Sequence, residues 1–124
     1  MKPDDYAKAG TEHAHQTALF IWASQNTDKY PVLKWMYAIP NGGERNVAVA
    51  GRLKAEGVKS GVSDICLPTG RHGYHGLYIE MKKPKGKESD NQKEFGAFLN
   101  NETYYYICCD NWEKARDVLV WYLT

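Results

Sequence analysis

Two short runs constrain this chain most: Gly61-Val62-Ser63-Asp64-Ile65-Cys66-Leu67 and Leu77-Tyr78-Ile79-Glu80-Met81-Lys82. Each is rich in β-branched, aliphatic or aromatic residues, and a Gly- and His-containing turn from Pro68 to Gly76 separates them. They read as neighbouring strands. Side chains alternate faces along a strand, so Leu77, Ile79 and Met81 turn into a core while Glu80 and Lys82 share the other face. Asp64 begins the adjacent strand just after Gly61, where its carboxylate can lean toward Glu80. Two carboxylates hold a hard divalent cation through oxygen. A cation held there polarises a phosphate and activates a water, and a nearby ammonium orients that water or offsets developing charge. The set therefore points to metal-dependent hydrolysis of phosphodiesters. By itself E-x-K is a weak signal, because charged strand residues ordinarily sit in solvent.

The size of the chain narrows the rest. Its 124 residues suit one compact domain, residues 1–124, with residues 1–10 as an N-terminal tail. A formal net charge of +1 excludes a polycation, so any nucleic-acid binding must come from a local patch. Cys66, Cys108 and Cys109 lie in apolar runs; an odd count without a spaced framework argues against a disulfide scaffold and for a reducing compartment. No apolar run reaches membrane-spanning length, and Met1-Lys2-Pro3-Asp4-Asp5 is no signal peptide. A cytoplasmic protein without membrane contact is expected.

Thr11 is a suitable N-cap for a helix to about Asn26, with Ala14, Ala18, Leu19, Ile21 and Trp22 on its apolar side. Glu12 and Gln16 stack on one face of it. Val32 to Ile39 reads as a strand closed by Pro40-Asn41-Gly42-Gly43, whose glycines suit either a turn or the close approach of a phosphate. A second helix is expected from about Asn46 to Glu56, stopped by Gly57. Arg45, Arg52, Lys54 and Lys59 make a basic cluster around it, which on its own is ordinary solvated surface. Lys82-Lys83-Pro84-Lys85-Gly86-Lys87 is the most basic stretch and follows the candidate site directly, well placed for a phosphate backbone. Ser89 and Gln92 fit a capping box opening a third helix to about Asn100. Tyr104 to Cys109 reads as a strand, and Asp110 to Glu113 as a second capping box before a last helix. The order is that of an α/β domain with a central mixed sheet flanked by helices.

Together, Glu12-x-x-x-Gln16, Pro40-Asn41-Gly42-Gly43-Glu44-Arg45, Gly61-Val62-Ser63-Asp64, His75-Gly76-Leu77-Tyr78-Ile79-Glu80-Met81-Lys82 and Gln92 resemble a known pattern. It is that of the virus-type replication-repair nuclease (VRR-NUC) family of the PD-(D/E)XK superfamily, in its stand-alone phage or bacterial form. The resemblance implies the restriction-endonuclease-like fold. It matches Asp64 and Glu80 to the metal-binding carboxylates and Lys82 to the E-x-K lysine. Glu12 matches a first-helix glutamate that extends the metal site or positions water. Gln92 matches a glutamine close to that site, although its capping role alone would explain it. Asn41, Gly42, Gly43 and Arg45 match a motif that shapes the site or contacts DNA. Ser63 stands where the superfamily name carries a proline, a change expected to alter the turn and not the chemistry.

What the resemblance implies for function is an Mg²⁺- or Mn²⁺-dependent endodeoxyribonuclease of replication and repair. Arg52, Lys83, Lys85 and Lys87 would hold the DNA backbone. Small relatives of that kind resemble Holliday-junction resolvases, which act as symmetric dimers, so branched DNA and a homodimer are expected. Three other readings stay open: the same chemistry on flap, single-strand or linear DNA, a non-catalytic DNA-binding module, and a zinc protein using His72, His75 and the cysteines. The last lacks the paired ligand spacing of zinc sites.

Overall fold

The computed structural model describes residues 1–40 and 47–124. Helices α1 (Pro3–Ala7) and α2 (Glu12–Gln25) come first, then a 3₁₀ turn (Pro31–Trp35) and strand β1 (Tyr37–Ala38). Helix α3 (Val47–Ala55) precedes β2 (Ile65–Leu67), β3 (Leu77–Met81), α4 (Asp90–Asn101), β4 (Tyr105–Cys109) and α5 (Trp112–Leu123). The four strands form one sheet in the order β1-β2-β3-β4. The β1/β2 and β2/β3 pairs are antiparallel; β3/β4 is parallel, with α4 as the crossover such a pair requires.

One face of the sheet carries the core. Ile65, Leu67, Leu77, Ile79, Met81 and Cys109 are buried against Ala18, Leu19 and Ala23 of α2 and Ala115, Leu119 and Tyr122 of α5. The i, i+4 recurrence of small and large apolar residues on α2 makes this possible. Each fully buried Leu or Ile contributes roughly 1.5–3 kcal/mol. Helix α4 covers part of the opposite face. Phe95 meets Tyr78 edge-on, with ring centroids 6.0 Å apart, and the Tyr106 ring lies where a Cβ on Gly96 would stand, 2.4 Å away.

The segment read as a tail carries α1, and Asp4 Oδ1 there accepts from Trp112 Nε1 at 3.0 Å. The expected strand from Val32 to Ile39 is mostly a 3₁₀ turn. Pro31 fixes φ at a helical start and has no N–H for a ladder, and only Tyr37–Ala38 finds a partner in β2. The cap of α5 is Asn111, whose side chain accepts from the Lys114 N–H, and not Asp110. Asp110 instead binds Lys114 Nζ at 2.7 Å and the Lys85 N–H at 3.1 Å. Thr11 and Ser89 cap α2 and α4 as expected.

Gly61 explains how the strand entering the site is held. Its φ is +85°, and a Cβ there would lie 2.6 Å from the Asn91 carbonyl oxygen. Gly61→Ala is expected to cost at least about 1–3 kcal/mol in left-handed strain, before any steric repulsion. Urea denaturation measures it; an unchanged midpoint would show that the turn relaxes freely.

Candidate metal centre

Asp64 precedes β2, and the Ile39 N–H holds its backbone by donating to the Asp64 carbonyl at 2.7 Å. The Met81 N–H donates to Asp64 Oδ2 at 2.8 Å, tying this carboxylate to the end of β3. Glu80 stands on β3 on the face opposite the core and is 1% exposed. Glu12 reaches in from the first turn of α2. One carboxylate oxygen from each of Glu12, Asp64 and Glu80 lies within 4.8 Å of the other two. Three segments distant in sequence thus bring together three carboxylates and one cation, since Lys82 Nζ lies 3.9 Å from Glu80 Oε2.

Gln92 does two things at once. Its Oε1 accepts the Ser89 N–H at 2.7 Å, completing the capping box of α4, and its Nε2 donates to Glu80 Oε2 at 3.0 Å. Because the oxygen is spent on the cap, the NH₂ end must face Glu80. The structural and site-directed roles of Gln92 coexist.

With Oε2 held by Gln92 and Lys82, Glu80 Oε1 is left buried and without a hydrogen-bond partner among the described residues. An orphaned buried oxygen costs about 1–3 kcal/mol or more. Its surroundings also disfavour charge. Burial first, then the neighbouring Asp64 carboxylate, push the Glu80 carboxyl up to about 9; Lys82 pulls the other way and Glu12 adds to the rise. Glu12 is raised too, by burial and then by Asp64, against the pull of Lys82. Crowded carboxylates with an unpartnered oxygen fit a hard divalent cation, which would satisfy that oxygen and favour the ionised forms.

The other expected residues are placed as follows. Lys83, Lys85 and Lys87 are exposed on the turn after Lys82, which the Gly86 N–H closes by donating to the Lys83 carbonyl at 2.8 Å. Arg52 is exposed on α3, a helix that buries none of its residues. Asn41, Gly42, Gly43 and Arg45 lie outside the described residues. His72, suggested for zinc, stacks on Trp121 with centroids 4.5 Å apart, and its Nε2 lies 3.1 Å from the Trp121 carbonyl. Burial pushes the Cys108 thiol up to about 11. The group among the described residues whose geometry could hold a metal ion is one of carboxylates.

Sequence reading missed the neighbours of the site on its own sheet face. Tyr37, Cys66 and Tyr78 are register partners across β1, β2 and β3, and the Cys66 thiol interacts with both tyrosine hydroxyls. The period of two, counted back from Glu80 and forward from Asp64, reaches Tyr78 and Cys66. Tyr37 could not be found that way, because its register depends on the pairing of β1.

A four-stranded mixed sheet flanked by helices, with this carboxylate and lysine set at the ends of its two central strands, defines a restriction-endonuclease-like nuclease fold of the PD-(D/E)XK type. A solved structure of a VRR_NUC domain protein superimposes with a TM-score of 0.78 and 27% sequence identity, over 91% of this chain and 88% of that one. Residues 10–111 match the VRR-NUC domain family. The chain belongs to the VRR-NUC family. No curated protein shows a significant sequence match. Among the described residues no helix is long and apolar enough to cross a membrane.

Proposed function

We propose that this protein is a divalent-metal-dependent endodeoxyribonuclease that cuts branched DNA, working as a homodimer. The observation that carries the metal dependence is the buried, unpartnered Glu80 Oε1 beside the oxygens of Asp64 and Glu12. Asp64, Glu80 and Glu12 would hold Mg²⁺ or Mn²⁺, both suited to oxygen ligands. When bound, such an ion polarises the scissile phosphate and lowers the pKa of a water. The chain's own residues do the rest. Lys82 orients the attacking water and offsets charge building on the phosphate. Gln92 would fix the rotamer of Glu80 through Oε2, leaving Oε1 free to help hold the cation. The turn from Lys83 to Lys87, with Arg52, holds the backbone in a salt-dependent way that is blind to sequence. Selectivity then comes from DNA shape. Resemblance to the small stand-alone members supports the junction preference and the dimer, which would place two sites on opposed strands.

The test is cleavage of a four-way junction and of one linear arm of it, in Mg²⁺, Mn²⁺ or EDTA. Paired nicks on the junction, absent in EDTA, are expected. Equal cutting of both DNAs would keep the nuclease and discard the branch preference. Silence on every DNA in either metal would sink the enzyme reading.

A further inference from the structure

A second recess lies on β1 and the end of β2. Val32, Trp35, Tyr37, Leu67, Pro68 and Thr69 line a cavity of about 310 Å³. That is the lower end of the range for small-molecule pockets, room for one flat ring system and its substituents. Its two aromatic walls are unusually open to solvent: Trp35 is 64% exposed and Tyr37 49%. Two cations flank it. Lys34 Nζ lies 5.2 Å from the centre of the Trp35 ring, and the Arg71 guanidinium donates to Thr69 Oγ1 at 3.0 Å.

The cavity and the carboxylate centre share one sheet, and strand register relates them. Tyr37 is opposite Cys66, which is opposite Tyr78, and Tyr78 is two residues before Glu80 on the same face. Asp64 stands just before β2 and Pro68, at the cavity, just after it, four residues on or about 13 Å along extended chain. A strand whose phosphate sits at Glu80 and Asp64 therefore reaches the cavity within a few nucleotides. Aromatic walls beside paired cations are what unpaired nucleotides bind: bases stack on rings and phosphates meet ammonium or guanidinium groups. A paired base has both faces covered by its neighbours and cannot enter.

We propose that this cavity takes an unpaired base of the DNA strand held at the carboxylate centre, with the flanking phosphates on Lys34 and Arg71. The proposal rests on the nuclease reading and adds to it a preference, among the DNAs it binds, for those carrying unpaired nucleotides close to the cut. Discrimination is built into the sheet itself.

The test compares a blunt duplex with the same duplex carrying an oligothymidine tail. Binding is measured in EDTA by fluorescence anisotropy, for the wild type and for Trp35→Ala, Tyr37→Ala and Trp35→Phe. Trp35→Ala and Tyr37→Ala should each weaken binding of the tailed DNA by about 5- to 100-fold, well beyond any loss on the blunt duplex. Trp35→Phe should keep most of the preference. The exposure of both side chains lets these variants fold, which their melting curves check. Equal weakening on both DNAs, or none, overturns the proposal. So does a wild-type dimer that dissociates in Trp35→Ala on sedimentation, which would make the recess a contact between two copies. A wild type that cleaves DNA while the variants keep its tail preference sinks the cavity alone. A wild type inert on all DNA in metal sinks the nuclease reading, and the cavity with it.

Discussion

Lys82→Ala is expected to slow single-turnover cleavage by on the order of 100-fold or more, the usual loss when a group that moves a proton or offsets charge at the reacting centre is removed. DNA binding and the melting temperature should change little. The lysine directly follows β3, and its side chain is 16% exposed. Its ammonium approaches Glu80 Oε2 at 3.9 Å. That approach suggests a second way to lose activity, because Lys82 is the group that lowers the pKa of Glu80. The two roles separate by pH. If Lys82 serves only to keep Glu80 ionised, raising the pH or supplying Lys82→Arg restores the rate. If it acts on the water, the deficit persists at every pH. A Lys82→Ala enzyme with the wild-type rate would remove this residue from the chemistry altogether.

Glu80→Gln should make the metal-free protein more stable, and increasingly so as the pH rises. The unfolded carboxyl ionises near the ordinary 4.5, whereas the folded one holds its proton to about 9. Between those values the folded state binds the extra proton, so stability falls as pH increases. The loss is absent below about 4.5 and complete above about 9. Glutamine cannot titrate and removes the whole effect. At pH 8 in EDTA the variant should melt higher by at least about 3–5 °C, taking roughly 1 kcal/mol as a lower bound for an uncompensated buried group. At pH 4.5 the two proteins should melt together. Adding Mn²⁺ at pH 8 should raise the wild-type melting temperature and release about one proton per ion, and should leave Glu80→Gln unmoved. A wild type whose melting temperature ignores both pH and Mn²⁺ would contradict the proposed metal centre.

How far the sequence carried the site depended on whether local pattern or long-range pairing placed each residue. Glu80 and Lys82 are legible from alternation along one strand, and Thr11 and Ser89 from capping chemistry alone. The burial of Glu80 was not legible, because α4 closes over that face only when Gly96 admits the Tyr106 ring. Gln92 could be read as a cap but not as a partner of Glu80, since that bond joins residues brought together by the crossover. The strand expected from Val32 to Ile39 failed where Pro31 overrode an apolar run. Asp110 looked like a cap by composition, yet Asn111 took the position while Asp110 was drawn to Lys114 and the Lys85 backbone.

The parallel pairing of β3 with β4 also bears on how the protein is made. Glu80 lies opposite Cys108, and the Lys82 N–H donates to the Cys109 carbonyl at 2.8 Å. A chain emerging from the ribosome has Glu12, Asp64, Glu80 and Lys82 exposed early, but β3 lacks its second neighbour until residue 109 has been added. Non-local strands of this kind join late and together with the rest of the fold. The four groups are therefore expected to gather only once β4 has been made, so that activity comes with completion of the sheet.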